Sequence, residues 1–307
     1  MKQITSALNP GEGFDGVLYP VRQASGRPRT DKVVITLPGS EGGLQNAERM
    51  ARFLHQHQIP ALALGYYRTA HTGRDLARIP LEYIEHAIRW LKENGYEKIA
   101  VQGISRGAEY AAAAAVTFPE ITCTILRAPG CFYSEGLIRN NPSGTSSWIF
   151  RGEELPYAPF SVRSFTGQRQ RELAAASEPG STAGEQAAAD GRAAGGKTPL
   201  LAAEPAPAAA IPLERAHGPV LIFSSEADTV LPSAENGRTL DARLSSHGFP
   251  HPHKHVCYSC VSHILLEQAS RFSRAVFQSE RAHPEECARE RQHLGDTTIH
   301  WIENIWK

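Results

Sequence analysis

Apolar residues along this chain gather in short runs, separated by stretches in which they recur every three or four positions. Val33 to Leu37, Ala61 to Tyr66, Lys98 to Gln102, Thr122 to Leu126, Val220 to Ser224 and His255 to Tyr258 are rich in β-branched and aliphatic residues and too short for helices. Each is read as a strand. Near-continuous apolar character, rather than strict alternation, is expected where a sheet is covered on both faces. Between the second and third runs, Pro80 to Glu93 carries Leu81, Ile84, Ala87, Ile88 and Leu91 on one stripe, opens on a proline and runs into Asn94-Gly95. That pattern predicts an amphipathic crossover helix with its own start and stop signals. Leu44 to His57, Ala108 to Val116 and Ser233 to His247 are further helix candidates, and a charged helix is expected from about Pro284 to Trp306. Strands alternating with helices predict the α/β class, with a mostly parallel central sheet and helices on both faces.

One region breaks the alternation. From about 168 to 210 the composition collapses to Ala, Gly, Glu, Pro and Ser, which offers too little apolar surface to offset the entropy of ordering it. We expect a mobile insertion there rather than a second domain, either covering the carboxyl ends of the strands or lying apart from them. The 307 residues are then read as one domain with this insertion. We see no internal repeat.

Lys plus Arg is 32 and Asp plus Glu is 32, so no strong net field draws the protein to nucleic acid or to an anionic membrane, and neither is expected as a partner. The first ten residues lack the apolar core of a secretory signal, and no window reaches the run of about 18 apolar residues that a membrane span needs. A cytoplasmic protein is expected. Five cysteines, Cys123, Cys131, Cys257, Cys260 and Cys287, are few and odd in number, as suits a reducing compartment. Cys257 and Cys260 form a CxxC among His251, His253, His255 and His263. A structural zinc site usually takes a second ligand pair at matching spacing, and none is visible, so no metal is expected.

The chemistry gathers at Gly103-Ile104-Ser105-Arg106-Gly107, directly after the strand Lys98 to Gln102 and before the Ala-rich helix. GxSxG alone is a weak motif; a strand-to-helix setting makes it a nucleophile elbow of the α/β-hydrolase fold, whose small residues let two backbones approach. Serine is a poor nucleophile at neutral pH until a base takes its proton, and the base needs an acid to fix its tautomer. In this fold the chain order is Ser, acid, His. Asp228 ends the stretch Ser225-Glu226-Ala227-Asp228 after the strand Val220 to Ser224, with Glu226 as its competitor. Among thirteen histidines, only His263 lies just past the final strand and ahead of another helix. Ser105, Asp228 and His263 are therefore the expected nucleophile, acid and base. An oxyanion hole needs the amide of the residue after the nucleophile, Arg106, and one from the loop Pro38-Gly39-Ser40-Glu41-Gly42-Gly43, with Ser40 first and Glu41 next. That glycine-rich loop lacks the lysine of a phosphate-binding loop. The constellation asks for no cofactor.

These stretches, together with Leu62-Ala63-Leu64-Gly65-Tyr66-Tyr67, Leu81-Glu82-Tyr83-Ile84, Ile211 to Val220 and the tail Pro284 to Glu290, resemble the catalytic domain shared by acyl-CoA thioesterases and bile acid-CoA:amino acid N-acyltransferase, close to the dienelactone hydrolases. By that resemblance the nucleophile, acid and base again fall on Ser105, Asp228 and His263. The resemblance also implies that a serine nucleophile goes with hydrolysis and a cysteine with transfer to an amine. Two departures stand out: the N-terminal β-sandwich of the family's eukaryotic members does not precede Val33 here, and the low-complexity stretch falls where those members have a more ordered connection. The expected activity is cleavage of an acyl thioester, acyl-CoA-like, or of an ester through an acyl-enzyme. A carboxylesterase or dienelactone-hydrolase-like enzyme, an N-acyltransferase and a non-catalytic binding protein on the same fold stay open as alternatives. Nothing in the sequence sets the oligomeric state or the acyl-chain length.

Overall fold

The computed structural model describes residues 2–5, 13–160, 206–269 and 271–307. Its centre is an eight-stranded sheet formed by β1 (Lys2–Thr5), β2 (Asp15–Tyr19), β3 (Lys32–Leu37), β4 (Ala61–Gly65), β6 (Lys98–Ile104), β7 (Ile121–Arg127), β12 (Val220–Ser225) and β13 (His253–Tyr258), in the spatial order β1-β2-β4-β3-β6-β7-β12-β13. The six strands from β4 to β13 in that order run parallel, while β2 pairs antiparallel with β4 and β1 antiparallel with β2. All six strands expected from the sequence are present, each within two residues of its expected limits. The mostly parallel α/β-hydrolase architecture is thus the one the pattern predicted.

Strand residues alternate between two separate cores, which is why both sets are apolar. Val33, Ile35, Leu37, Ile99, Val101, Val220 and Ile222 face one side, where α2 (Glu82–Glu93), α3 (Arg106–Thr117) and α4 (Ser233–Ser246) pack. Val34, Ala61, Ala63, Ala100, Ile125, Leu221 and Phe223 face α1 (Gln45–Gln56) and the tail helix on the other. The predicted stripe of α2 is the stripe that packs: Ile84, Ala87 and Leu91 are fully buried and Ile88 nearly so. Each large side chain of this kind contributes about 1.5–3 kcal/mol on burial.

The connections differ from expectation in three places. Between β7 and β12, two small sheets form: β8 (Glu135–Ile138) with β9 (Asn141–Ser146), and β10 (Trp148–Phe150) with β11 (Glu153–Glu154) and the two-residue β5 (Ile79–Pro80). Short helices α5 (Arg271–Val276) and α6 (Gln278–Ala282) precede α7 (Pro284–His300), and α7 does not continue as an α-helix to Trp306 but ends in a π-helical turn, Trp301–Ile305. Lys32 explains that turn, because its ammonium, buried under the tail, donates to the Ile302 and Trp306 carbonyls at 2.7 and 2.6 Å, satisfying acceptors that a helix end otherwise leaves open. Residues 168–205 of the expected insertion lie outside the described residues. Its last five are seated on the domain: Pro207–Ala209 make a 3-10 turn, Ala209 is buried, and its carbonyl accepts from Tyr133 N at 2.9 Å. No helix among the described residues is long and apolar enough to cross a membrane.

Candidate active site

β6 ends at Ile104 and α3 begins at Arg106, so the reversal of direction falls on one residue, Ser105. Its backbone sits at φ 55° and ψ −121°, a conformation that costs a side-chain-bearing residue about 1–3 kcal/mol and persists only where its surroundings enforce it. The enforcement is visible. A Cβ on Gly103 would overlap the Gly107 carbonyl, and a Cβ on Gly107 would overlap the Pro38 carbonyl, so both glycines of the motif are required by close approach. Ser105 N donates to the Arg127 carbonyl at 2.8 Å, and the Ser105 carbonyl accepts from Ala108 N at 2.9 Å. The hydroxyl therefore stands at the N-terminus of α3, where the helix dipole favours negative charge.

Asp228 and His263 meet at the carboxyl ends of β12 and β13. Asp228 Oδ2 lies 2.8 Å from His263 Nδ1, and Oδ1 accepts from Val230 N and Leu231 N, each at 2.9 Å. The carboxylate is fully buried. Burial alone would raise its pKa, yet the His263 imidazole beside it, with hydrogen bonds from His263, Ser233 and Leu231, holds it below its ordinary value. Glu226, the competing acid, is 53% exposed on its side chain and pairs instead with Arg238. The other histidines of the stretch are engaged elsewhere: His253 Nδ1 lies 2.9 Å from Asp241, and His255 Nε2 lies 2.7 Å from Ser224 Oγ, with burial lowering the His255 pKa.

The loop after β3 closes the site from the other side. Gly39 faces Ser105 so closely that a Cβ there would stand 3.4 Å from Ser105 Cβ. Gly39 N donates to the Glu41 carboxylate at 3.0 Å, and Gly42 N donates back to the Gly39 carbonyl at 3.2 Å. The resulting tight turn presents Ser40 and Glu41 at the surface. Arg106, the residue after Ser105, is buried: its guanidinium donates to Glu109 at 2.9 Å, to the Glu135 carbonyl at 3.0 Å and to Ser147 Oγ. Glu109 also accepts from Trp148 Nε1 at 2.6 Å. This buried cluster ties the elbow helix to both small sheets.

Four further residues hold the site and were not expected from the sequence. Arg127, fully buried, accepts from Ser105 N through its carbonyl and donates through its guanidinium to the Leu265 carbonyl at 3.1 Å and to Glu267 at 2.6 Å. It thereby links Ser105 to the loop of His263. Arg291 on α7 donates to the Ile264 and Leu266 carbonyls, both at 2.6 Å. Glu280 accepts from Ser262 N at 3.2 Å and Ser262 Oγ at 2.8 Å, and Glu290 accepts from Ser259 N, Cys260 N and Val261 N. The only sequence signal is a charge where the apolar pattern calls for a core residue, as in Ile125-Leu126-Arg127.

The CxxC thiols do not converge. Cys257 is exposed and points to Glu226 at 3.7 Å, whereas Cys260 stands with Glu286 and Glu290, their ligand atoms within 4.8 Å of one another. Such a set has the reach for a small cation, but Glu290 is already committed to three backbone amides.

Comparison with known proteins adds a match to part of the chain. The model for the C-terminal domain of bile acid-CoA:amino acid N-acyltransferase and acyl-CoA thioester hydrolases matches residues 79–147 and 195–268. No curated protein sequence matches. Among solved structures, a protein of unknown function from Agrobacterium tumefaciens, provisionally described as an α/β hydrolase, superposes with a TM-score of 0.54 at 11% identity, covering 99% of this chain and 98% of that one. An esterase from Pyrococcus furiosus gives 0.51 at 13%, covering 98% of each chain. A Klebsiella pneumoniae protein, provisionally described as a dienelactone hydrolase, gives 0.52 at 13%, covering 94% of this chain and 99% of that one. These likenesses establish the fold.

Proposed function

From the match of part of the chain to the acyl-CoA thioester hydrolase C-terminal model and from its α/β-hydrolase fold, we propose that it is a serine hydrolase cleaving an acyl thioester, acyl-CoA-like, or an ester through an acyl-enzyme. The family match and fold support an ester or thioester hydrolase; the serine mechanism and the thioester preference are our reading. One observation carries it. A serine strained at φ 55° on a strand-to-helix turn, in a sheet whose later strands present an Asp–His pair at 2.8 Å, is an expensive arrangement with a chemical use.

In this reading Ser105 Oγ attacks the acyl carbonyl while His263 takes its proton, and Asp228 fixes the tautomer and stabilises the imidazolium. The oxyanion is held by the Arg106 amide and by Ser40 or Glu41. The imidazolium then protonates the departing thiolate or alkoxide. Water, deprotonated by the same imidazole, releases the acid and restores Ser105. All five cysteines are free thiols, in keeping with a cytoplasmic setting.

The test compares kcat/KM for a CoA thioester with that for an oxygen ester of the same acyl chain, in wild type and Ser105→Ala. Preference for the thioester, lost in the variant, supports the reading. Preference for the oxygen ester moves the chain to the esterases, and product diverted to an amide by added glycine or taurine moves it to the acyltransferases.

A further inference from the structure

β4 leads into Gly65-Tyr66-Tyr67, and both phenols reach back to the loop after β3. Tyr66 Oη shares its one proton between the Pro38 carbonyl at 2.9 Å and the Gly39 carbonyl at 3.2 Å, and Tyr67 Oη donates to the Ser40 carbonyl. Both rings are buried. Tyr66 stacks on Tyr110 of α3 with centroids 4.8 Å apart and meets Tyr67 at 5.4 Å, so the hydroxyls are held by the same helix that begins at the elbow.

The peptide units here are trans, and in a trans unit the N–H points opposite to the carbonyl of the preceding residue. Anchoring the Gly39 carbonyl therefore aims the Ser40 N–H, and anchoring the Ser40 carbonyl aims the Glu41 N–H. These are the two candidate amides of this loop, while the Gly39 N–H is taken by the Glu41 carboxylate.

We propose that Tyr66 and Tyr67 are positioning residues for the oxyanion hole, each fixing and polarising one amide of the Gly39–Glu41 turn through the carbonyl behind it; this rests on the serine-hydrolase reading above. A hydroxyl donating to an amide oxygen strengthens that unit's own N–H as a donor, and it does so most in a low-dielectric interior. Burial pushes both phenols above their ordinary value, so they remain protonated donors at neutral pH.

Tyr67→Phe keeps the ring and removes the donor. A donor acting directly on the oxyanion is worth about 100- to 1000-fold in kcat, so one acting through a peptide should cost about 10-fold, with KM within about twofold. An acyl trifluoromethyl ketone, which Ser105 converts to an oxyanionic hemiketal, should lose affinity in step with kcat/KM. An alkyl thioether analogue of the substrate, which forms no oxyanion, should bind as in wild type. Active enzyme is counted by covalent fluorophosphonate labelling, and Tyr66→Phe serves as the second variant should Tyr67→Phe not fold. Wild-type kcat and ketone affinity in Tyr67→Phe would overturn the proposal, as would equal loss of ketone and thioether binding. If Ser105→Ala keeps full turnover and ketone affinity, it is the serine-hydrolase reading that fails, a result distinct from either of these.

Discussion

Replacing Asp228 by Asn tests the site where its geometry is most restrictive. The two backbone amides, Val230 N and Leu231 N, both bond Oδ1, so the amide oxygen of Asn takes that position and its NH2 is forced against His263 Nδ1, 2.8 Å away. Two donors then face each other unless the imidazole moves its proton to Nε2, and that tautomer cannot accept the proton of Ser105. The same substitution in a triad of this kind costs about four orders of magnitude in turnover, which is about 5.5 kcal/mol of transition-state stabilisation. Stability at neutral pH should change far less, since both backbone hydrogen bonds survive and the desolvated charge is gone. The assay is kcat/KM normalised to labelled active sites, with thermal unfolding alongside. Glu226→Gln is the control: its partner Arg238 is 59% exposed, and such surface pairs are worth about 0–1 kcal/mol, so turnover should stay within about twofold. A larger loss in Glu226→Gln than in Asp228→Asn would refute the assignment. The pH dependence of stability gives a second readout. The Asp228 carboxyl is held below its ordinary 3.8, so below that pH the unfolded chain binds the proton first. The stability it contributes is present above 3.8 and lost as pH falls through the folded value. Asp228→Asn should flatten the unfolding curve in that acid range, and an unchanged slope would count against the ion pair.

Ser105→Ala should abolish covalent labelling and lower turnover at least about a thousandfold, whereas Ser105→Gly should do the same and also raise the melting temperature, because only glycine relieves φ 55°; equal melting temperatures for the two would contradict the strain. Gly107→Ala should lower turnover more than about tenfold without touching Ser105, Asp228 or His263, since its Cβ overlaps the Pro38 carbonyl and would push the Gly39–Glu41 loop away; retention of more than about a tenth of wild-type turnover in that variant would refute the close approach. Cys257→Ser and Cys260→Ser should leave turnover and metal content unchanged, read by kinetics and elemental analysis, because the thiols face different groups; loss of bound zinc together with the fold would overturn this.

How far the sequence foretold this molecule depends on whether a contact leaves a local trace. Strands β3, β6, β7 and β12 are covered on both faces, so nearly every position is apolar and the runs stand out. Gly103 and Gly107 were legible because a backbone-to-backbone approach tolerates no Cβ, and Asp228 because chain order and its place after β12 narrowed the choice. β2 left almost no trace: its five residues include one aspartate and one glycine, and it forms by pairing antiparallel with β1 and with β4, the latter far along the chain. The small sheets are equally silent, since β9 reads Asn-Pro-Ser-Gly-Thr-Ser, a loop composition given order by Glu135, whose carboxylate accepts from Gly144 N at 2.6 Å. Arg127 was missed for a related reason. Its partner carbonyl is 138 residues away, and a buried arginine in a strand looks like an error in the pattern until that partner is known.

The way His263 is held shows why buried charge collects around it. Residues 259–267 carry no regular structure, yet Val261, Ser262, Leu265 and Leu266 are essentially inaccessible to water, so their backbone groups need partners that a strand or helix would otherwise supply. Apolar packing cannot meet that need, and replacing a buried ion pair by apolar residues, often neutral elsewhere, would here leave peptide groups stranded. Glu290 and Glu280 therefore take the amides before His263, and Arg291 and Arg127 take the carbonyls after it. Glu280 also pairs with Arg291 and Glu267 with Arg127, so three of the four charges that serve the loop are themselves compensated. Two of the four, Glu290 and Arg291, come from α7, and Glu280 from the short helix before it. The tail is thus part of the machinery that sets the imidazole, and its charged face, which as a sequence looks like a solvated helix, is turned partly inward.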